Sequence, residues 1–147
     1  MFKAILDIKN APAGYPLCFN HQCSRCQECL HYQVAQSKTP RRPYGRTVLP
    51  TAWADGECKC FKSAEPQELA WGFNKLYEKL LPYQKSMARS TLRLYFSAGM
   101  STYYRYHYGE KVLSVEQQKD ILDIMSEYGS RDQFAFDNYV TSLDFSW

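Results

Sequence analysis

The sequence predicts a mainly α-helical protein with a small irregular or β-containing, metal-bound part at its N-terminus. Four of the six cysteines fall between residues 18 and 29, and two more follow at Cys58 and Cys60. After residue 63, apolar side chains recur at the three- and four-residue spacing of amphipathic helices. A chain of 147 residues is expected to fold as one compact unit. We therefore expect a cysteine-rich segment at 1–62 and a helical part at 63–147, in a compact bundle.

Four helices are expected in the second part. The first begins near Pro66, carries an apolar stripe and ends at Pro82. The second and third are separated by a glycine, and the fourth has a capping box in which Ser114 and Gln117 satisfy the first backbone N–H groups. The expected ranges of the last three are 84–96, 102–108 and 115–128. The aromatic tail FAFDNYVTSLDFSW is expected to dock on these helices.

The first part is expected to hold a short strand at 2–8 and a helix at 29–36. A basic, proline-broken loop follows at 37–45. No apolar run has the length of a membrane span, and the N-terminus lacks the features of an export signal. We therefore expect a cytoplasmic protein that does not interact with membranes. In that compartment, clustered cysteines favour metal ligation over disulfides, and three disulfides are the alternative for an exported chain.

The clustered cysteines predict a structural zinc site, because zinc prefers four thiolate or imidazole ligands in a tetrahedron. Several quartets fit, and spacing alone favours the pair Cys23 and Cys26 with the pair Cys58 and Cys60. A quartet of Cys18, Cys23, Cys29 and Cys58 is equally possible geometrically, since loops separate all four. His21 or His31 can replace a thiolate in either set. An iron–sulfur cluster is the competing interpretation, since Cys23, Cys26 and Cys29 follow the spacing of a ferredoxin run. Six free, buried thiols are the alternative without metal.

Short motifs along nearly the whole chain resemble an uncharacterised family of small Bacteroidales proteins, a domain of unknown function. The resembling residues begin with Cys18, Asn20, Cys23, Cys29-Leu30, Cys58 and Phe61. They continue with Trp71-Gly72-Phe73, Leu80-Leu81-Pro82, Tyr103-Tyr104-Arg105, Gly109-Glu110, Glu116-Gln117-Gln118, Phe136-Asp137-Asn138-Tyr139-Val140 and Trp147. The resemblance implies that the metal ligands are Cys18, Cys23, Cys29 and Cys58, with Cys26 and Cys60 as extra thiols. It implies no activity.

The middle of the chain is similar to a helix-turn-helix, in which a Gly-Met-Ser turn joins two helices. Between residues 75 and 111 there are seven Lys or Arg against two Glu, a net charge of +5. A basic surface of this kind is typical of nucleic-acid binding. The expected contacts to the DNA groove are Thr102, Tyr103, Arg105 and His107, and the expected contacts to phosphate are Arg89, Arg93 and Lys111. The alternative is that the tyrosines pack in the core and the arginines face solvent.

The sequence contains neither a nucleophile–base arrangement nor a glycine-rich phosphate loop. We therefore expect that the protein is not an enzyme and has no small-molecule substrate. The first functional hypothesis is a zinc-stabilised DNA-binding or regulatory protein that contacts duplex DNA. The alternatives are an adaptor that binds a protein partner through its aromatic tail or basic loop, and a redox or metal sensor that uses Cys26 and Cys60.

Overall fold

The computed structural model describes residues 2–37, 43–97 and 99–147, and in these residues the chain forms five α-helices and one two-stranded antiparallel sheet. The helices are α1 (Leu30–Ser37), α2 (Asn74–Tyr77), α3 (Pro82–Tyr95), α4 (Met100–His107) and α5 (Val115–Met125). The strands are β1 (Gln67–Trp71) and β2 (Asn138–Ser142). None of the helices within the described ranges has both the length and the apolar character needed to cross a membrane.

The chain divides into two compact units, each with its own apolar core. The cysteine-rich unit consists of Ala4–Gln67 and Ser142–Trp147, and the helical unit consists mainly of Glu68–Thr141. The boundary expected after residue 62 thus lies a few residues before Glu68, where the helical unit begins. The end of the tail differs from the expectation, because residues 142–147 belong to the cysteine-rich unit and not to the helices.

The helical unit is built around large aromatic and aliphatic side chains from α2, α3, α4 and α5. Phe73 and Phe136 are the largest fully buried side chains, and the rings of Phe96, just after α3, and Tyr103 of α4 pack against Phe73. The other core residues include Leu76, Leu92, Tyr103, Tyr106, Leu113, Ile121 and Met125. Because each helix buries one face here, the spacing of apolar residues locates α3, α4 and α5 correctly.

The predicted helix at 66–80 is wrong in its first half. Residues 67–71 form strand β1, and Ala70 exchanges two backbone hydrogen bonds with Leu113, at 3.3 and 2.7 Å. Gly72 has a φ of +86°, a left-handed conformation that interrupts any helix, and only the single turn α2 follows. Pro82 begins α3 and does not simply end a preceding helix, since proline suits the first helical position.

The ends of the remaining helices lie close to the expected residues. Ser114 accepts a hydrogen bond from the N–H of Gln117, and the Gln117 side chain accepts one from the N–H of Ser114, as the capping box predicts. The helix α4 begins earlier than expected, at Met100, with Gly99 as its N-cap at a φ of +101°. The helix α5 ends at Met125, three residues before the predicted end.

The cysteine-rich unit has a small core to which α1 and the chain end contribute. Leu30 and Val34 of α1 are fully buried and pack with Tyr15 and Leu143. The helix α1 lies within one residue of its predicted range. The predicted strand at 2–8 does not form in the described residues, where only a short 3-10 turn at Ile8–Asn10 occurs. The basic loop at 37–45, one expected partner contact, lies largely outside the described residues.

Candidate functional site

Backbone hydrogen bonds hold the cysteine segment against the segment that returns to it. The N–H of Cys18 donates to the carbonyl of His31 at 3.1 Å, which anchors the start of the cluster on α1. Cys29 and Ser63 form an antiparallel bridge, and the N–H of Leu30 donates to the carbonyl of Lys62 at 2.7 Å. The return segment that carries Cys58 is therefore fixed beside the first cysteines by pairing of the main chain.

Between these anchors the chain makes three successive tight turns, which end at Cys23, Cys26 and Cys29. In each turn a backbone N–H donates to the carbonyl oxygen three residues earlier, at 3.2–3.3 Å: Cys23 to Asn20, Cys26 to Cys23 and Cys29 to Cys26. A fourth turn, in which the N–H of Phe61 donates to Cys58, follows in the return segment. Short turns of this kind are the usual means by which a chain delivers several thiols to one place.

The thiol of Cys18 lies within electrostatic reach of Cys23, Cys29 and Cys58, and the thiol of Cys58 lies within reach of Cys23 and Cys29. Burial raises the pKa of the Cys18 thiol, and negative charge on Cys29, Cys58 or Cys23 raises it further. Burial likewise raises the pKa of Cys58, with further contributions from Cys60, Cys29 and Cys23. Cys18 and Cys29 are buried, and Cys23 and Cys58 are half-buried. A cation placed among these four sulfurs would offset the mutual repulsion of their thiolates.

The two other cysteines have different surroundings. Cys26 is buried, and its thiol lies 3.9 Å from the carbonyl of His21, to which it donates. Cys60 is exposed, and it lies within electrostatic reach of Cys58. Because Cys60 is close enough to Cys58 to act on its pKa, distance alone does not distinguish Cys60 from the group of four thiols. Its exposure does.

The two histidines near the cluster also differ. The Nδ1 atom of His31 lies 2.7 Å from the carbonyl oxygen of Pro16, and the ring stacks on Tyr15 with 4.7 Å between centroids. Burial lowers the pKa of His31, which favours the neutral ring. His21 is exposed on a turn. The structure thus gives His31 a packing role, and His21 contacts the thiol of Cys26 through its backbone carbonyl.

No group of three or more His, Cys, Asp or Glu side chains in residues 2–37, 43–97 and 99–147 is already arranged to hold a metal ion. The donor chemistry is nonetheless suited to a soft cation, because thiolates select zinc and iron–sulfur clusters. Thiols with a raised pKa are protonated at neutral pH, and they must release protons to ligate. The four thiols therefore have the donor chemistry that a zinc ion or an iron–sulfur cluster needs. Ligation would require their side chains to close around that metal group.

A cavity of about 480 Å³ opens beside this group of thiols, and Cys23 and Cys58 line it. Trp53 and Phe61 contribute aromatic walls, and the guanidinium of Arg25 lies 3.5 Å from the centroid of the Phe61 ring. Cys18 and Cys29 do not line the cavity. The two half-buried thiols are therefore reached from solvent, which provides an entry path for a ligand.

The predicted DNA-contacting residues of α4 do not share one exposed face. Tyr103 is buried, and its hydroxyl lies 3.0 Å from that of Tyr77, contrary to the expectation that it faces a groove. The ring of His107 is half-buried and its Nδ1 atom accepts a hydrogen bond from the N–H of Phe73. Thr102 is half-buried. The exposed side chains of α4 include Ser101 and Arg105, and Tyr108, just after its end, is also exposed.

The four cations expected to contact DNA, one in the groove and three on phosphate, are engaged by the protein's own side chains. Arg93 donates to the Tyr104 hydroxyl at 3.0 Å, and Arg105 pairs with Glu110 at 3.3 Å. The other two lie over tyrosine rings, with Arg89 5.3 Å from the Tyr77 centroid and Lys111 5.9 Å from that of Tyr106. The helical unit therefore carries these positive charges, but they do not form one continuous exposed surface along α4, as contacts to DNA phosphates would need.

Sequence reasoning assigned no role to Asp137, which organises the start of α2. Its carboxylate accepts hydrogen bonds from the N–H groups of Asn74 and Lys75, at 3.0 and 2.7 Å. Its backbone N–H donates to the carbonyl of Gly72 at 3.1 Å. The motif Phe136-Asp137-Asn138 was visible in the resemblance, but a cap supplied from more than sixty residues away leaves no local signal.

The fold and the thiol cluster define a small protein with a cysteine-rich unit and a separate helical unit. The chain belongs to a family of unknown function, DUF6078, whose model matches residues 1–145. No curated protein and no solved structure matches the chain.

Proposed function

We propose that the protein is a zinc-stabilised interaction module in which Cys18, Cys23, Cys29 and Cys58 hold a structural zinc ion. The observation that carries this proposal is the mutual electrostatic effect of these four thiols, one of which comes from a segment about thirty residues away from the others. We likewise propose that a four-cysteine motif is a feature of this family. In this proposal the zinc ion takes no part in a reaction. Its bonds to the four thiolates cross-link the irregular chain.

Zinc is preferred to an iron–sulfur cluster because the cysteines do not follow a full ferredoxin pattern. The run at Cys23, Cys26 and Cys29 includes Cys26, whose thiol donates to the carbonyl of His21 at 3.9 Å. A ferredoxin-type cluster would use Cys26 together with Cys23 and Cys29. Tetrahedral ligation by four separate thiolates is the ordinary structural zinc arrangement.

The first prediction concerns which cysteines bind the metal. In protein purified without added metal, Cys18→Ser, Cys23→Ser, Cys29→Ser and Cys58→Ser should each lose zinc, because three thiolates leave the tetrahedron incomplete. Native mass spectrometry should find one zinc ion per wild-type chain and a loss of at least about tenfold in zinc affinity in each variant.

Cys26→Ser and Cys60→Ser are the matched controls, since each changes one thiol of the same segment outside the proposed quartet. They should retain zinc with wild-type affinity. Loss of zinc in Cys26→Ser equal to that in Cys23→Ser would overturn the quartet. Wild-type protein without any metal, or with iron and labile sulfide, would overturn the proposal of structural zinc.

Among the functions available to such a module, binding of a protein partner is better supported than binding of duplex DNA. Tyr103 is buried, and Arg93 and Arg105 already have partners within the unit. The hypothesis of DNA binding remains a prediction, and affinity that falls steeply with salt would support it. The sensor hypothesis requires two reactive spare thiols, and Cys26 is buried.

A further inference from the structure

The hydroxyl of Tyr15 is buried in the cysteine-rich unit and has no hydrogen-bond partner within the described ranges 2–37, 43–97 and 99–147. Only 4% of this residue is exposed. A buried polar group without a partner destabilises a fold, because it has given up its hydrogen bonds to water. Such groups are rare in native proteins, and one explanation for them is an acceptor that arises only when an ion is bound.

The ring of Tyr15 is held beside the segment that carries Cys29. It stacks on His31, with 4.7 Å between the ring centroids, and meets Phe145 edge-on at 5.1 Å. It also packs in the same small core as Leu30, the residue that follows Cys29. Because the ring is packed on its face and at its edge, the hydroxyl has a fixed position in this unit.

The hydroxyl lies within electrostatic reach of the Cys29 sulfur. Burial raises the pKa of Tyr15, and negative charge on Cys29 and on Asp144 raises it further. The hydroxyl therefore keeps its proton at neutral pH and remains a hydrogen-bond donor. A thiolate at Cys29 would be a charged acceptor for it, and hydrogen bonds to charged acceptors are stronger than those between neutral groups.

Two of the proposed zinc ligands already have a donor of this kind. The backbone N–H of Asn20 is hydrogen-bonded to the sulfur of Cys18, which favours the thiolate. The backbone N–H of Cys60 does the same at the sulfur of Cys58. The orphaned hydroxyl is placed to stabilise a thiolate at Cys29 in the same way.

We propose that Tyr15 is a positioning residue of the metal site, whose hydroxyl donates a hydrogen bond to the Cys29 thiolate once zinc is bound. The proposal rests on the zinc site proposed above and specifies what orients one of its four ligands. Cys29 must lose its proton to ligate, and the four side chains must close around the ion. The same step that forms the metal site therefore supplies the buried hydroxyl with an acceptor.

Asp144 is the other negative group that acts on the hydroxyl, and its carboxylate already has partners. One oxygen accepts from the Lys62 ammonium at 3.0 Å. The other accepts from the N–H and the hydroxyl of Ser146, at 3.0 and 2.6 Å. Because these groups satisfy the carboxylate and Lys62 balances its charge, Cys29 is the acceptor that the structure favours.

The test compares the wild-type chain with Tyr15→Phe, which keeps the ring and removes only the hydroxyl. Competition with a chromophoric chelator should show a zinc affinity at least about tenfold lower in the variant, because loss of a hydrogen bond to a metal ligand typically weakens metal binding about 10–100-fold. Tyr32→Phe is the matched control, since Tyr32 is half-buried on α1 of the same unit. It should bind zinc like the wild type.

A spectroscopic measurement distinguishes a hydrogen bond to sulfur from a general loss of packing. Cobalt(II) replaces zinc in the wild type and in both variants, and the sulfur-to-cobalt charge-transfer bands report the energy of the thiolate electrons. A hydrogen bond lowers that energy. The bands of Tyr15→Phe should therefore lie at longer wavelength than those of the wild type, and the bands of Tyr32→Phe should not move.

Two results would overturn the role of Tyr15 and leave the metal site intact. One is equal zinc affinity in Tyr15→Phe and the wild type. The other is lower affinity without a shift of the cobalt bands, which would assign the hydroxyl to packing or to Asp144. Wild-type protein that binds neither zinc nor cobalt would overturn the metal site, and this role with it. The same samples thus distinguish the two failures.

Discussion

At Gly72 the backbone adopts a φ of +86°, and the Asp137 side chain occupies the space where any other residue would place its Cβ atom. An ideal Cβ at this position would lie 2.6 Å from the Cβ of Asp137. The approach is close because Asp137 reaches past Gly72 to cap α2. A single missing methyl group thus allows the chain end to fix the start of a distant helix.

Gly72→Ala is therefore expected to lower the free energy of unfolding by roughly 2–5 kcal/mol, from the left-handed conformation and the clash together. Urea denaturation followed by circular dichroism measures this change. Gly14→Ala is the matched control, since Gly14 has a φ of +79° but nothing lies within 4 Å of its added Cβ. Only the conformational cost of about 1–2 kcal/mol applies there. Equal losses in the two variants would show that contact with Asp137 costs nothing.

Among the secondary structure elements, α5 is the one whose start is most clearly fixed by its own sequence. Ser114 and Gln117 satisfy each other's backbone N–H groups, at 3.2 and 3.0 Å. Ile121 and Met125 then bury one face of the helix completely. Because both the cap and the apolar face are local patterns, the position of this helix follows from residues within one window of sequence.

Ser114→Ala should destabilise the protein by about 1 kcal/mol, because one N–H in the first turn of α5 loses its acceptor. Thermal unfolding by differential scanning calorimetry measures the shift. Ser130→Ala is the control, since Ser130 precedes a short 3-10 turn at Arg131–Gln133 without a side-chain capping bond. A loss in the control as large as that in Ser114→Ala would contradict the capping explanation.

Elements that depend on distant partners could not be predicted in this way. The strand β1 was expected to be helical because Leu69, Phe73 and Leu76 also fit a helical stripe. What decides its conformation is the pairing of Ala70 with Leu113, more than forty residues away. The burial of Tyr103 is decided in the same manner, by its contacts with Tyr77 and Phe73. Local spacing cannot distinguish an outer aromatic face from an inner one.

The candidate metal site was predictable only in part. The clustering of cysteines and the turn at Gly56, whose φ is +110°, are local features that bring the return segment into place. The choice among quartets was not local, since Cys26 and Cys60 fit the spacing as well as Cys18 and Cys29 do. Exposure of Cys60 and the surroundings of Cys26 are properties of the folded unit, and no spacing rule contains them.

At the scale of the whole molecule, the protein has two units with separate cores, and all six cysteines belong to one of them. The cysteine-rich unit has a small core, in which Leu30 and Val34 are the fully buried side chains. The helical unit has a larger core without any cysteine. A structural metal is therefore expected to matter for the stability of the first unit much more than for that of the second.

Removal of metal by a strong chelator should increase amide hydrogen exchange in residues 15–35 and 43–64 far more than in α3 and α5. The physical reason is that the proposed zinc ion would cross-link the cysteine-rich unit alone, while burial of apolar side chains sustains the helical unit. Exchange measured by mass spectrometry gives the result for each peptide. The Cys60→Ser variant should behave like the wild type. Equal loss of protection in both units would contradict this division.

The cysteine-rich unit is completed by residues from near both ends of the chain. The N–H of Leu143 donates to the carbonyl of Ile5 at 2.8 Å, and the Ser142 hydroxyl is hydrogen bonded to both backbone groups of Ile5. Lys62 also pairs with Asp144 at 3.0 Å. Because synthesis proceeds from the N-terminus, the six thiols emerge long before Ser142 and Asp144 are available. Throughout translation, the nascent cysteines remain in an unfinished unit, accessible to metal and to oxidants alike.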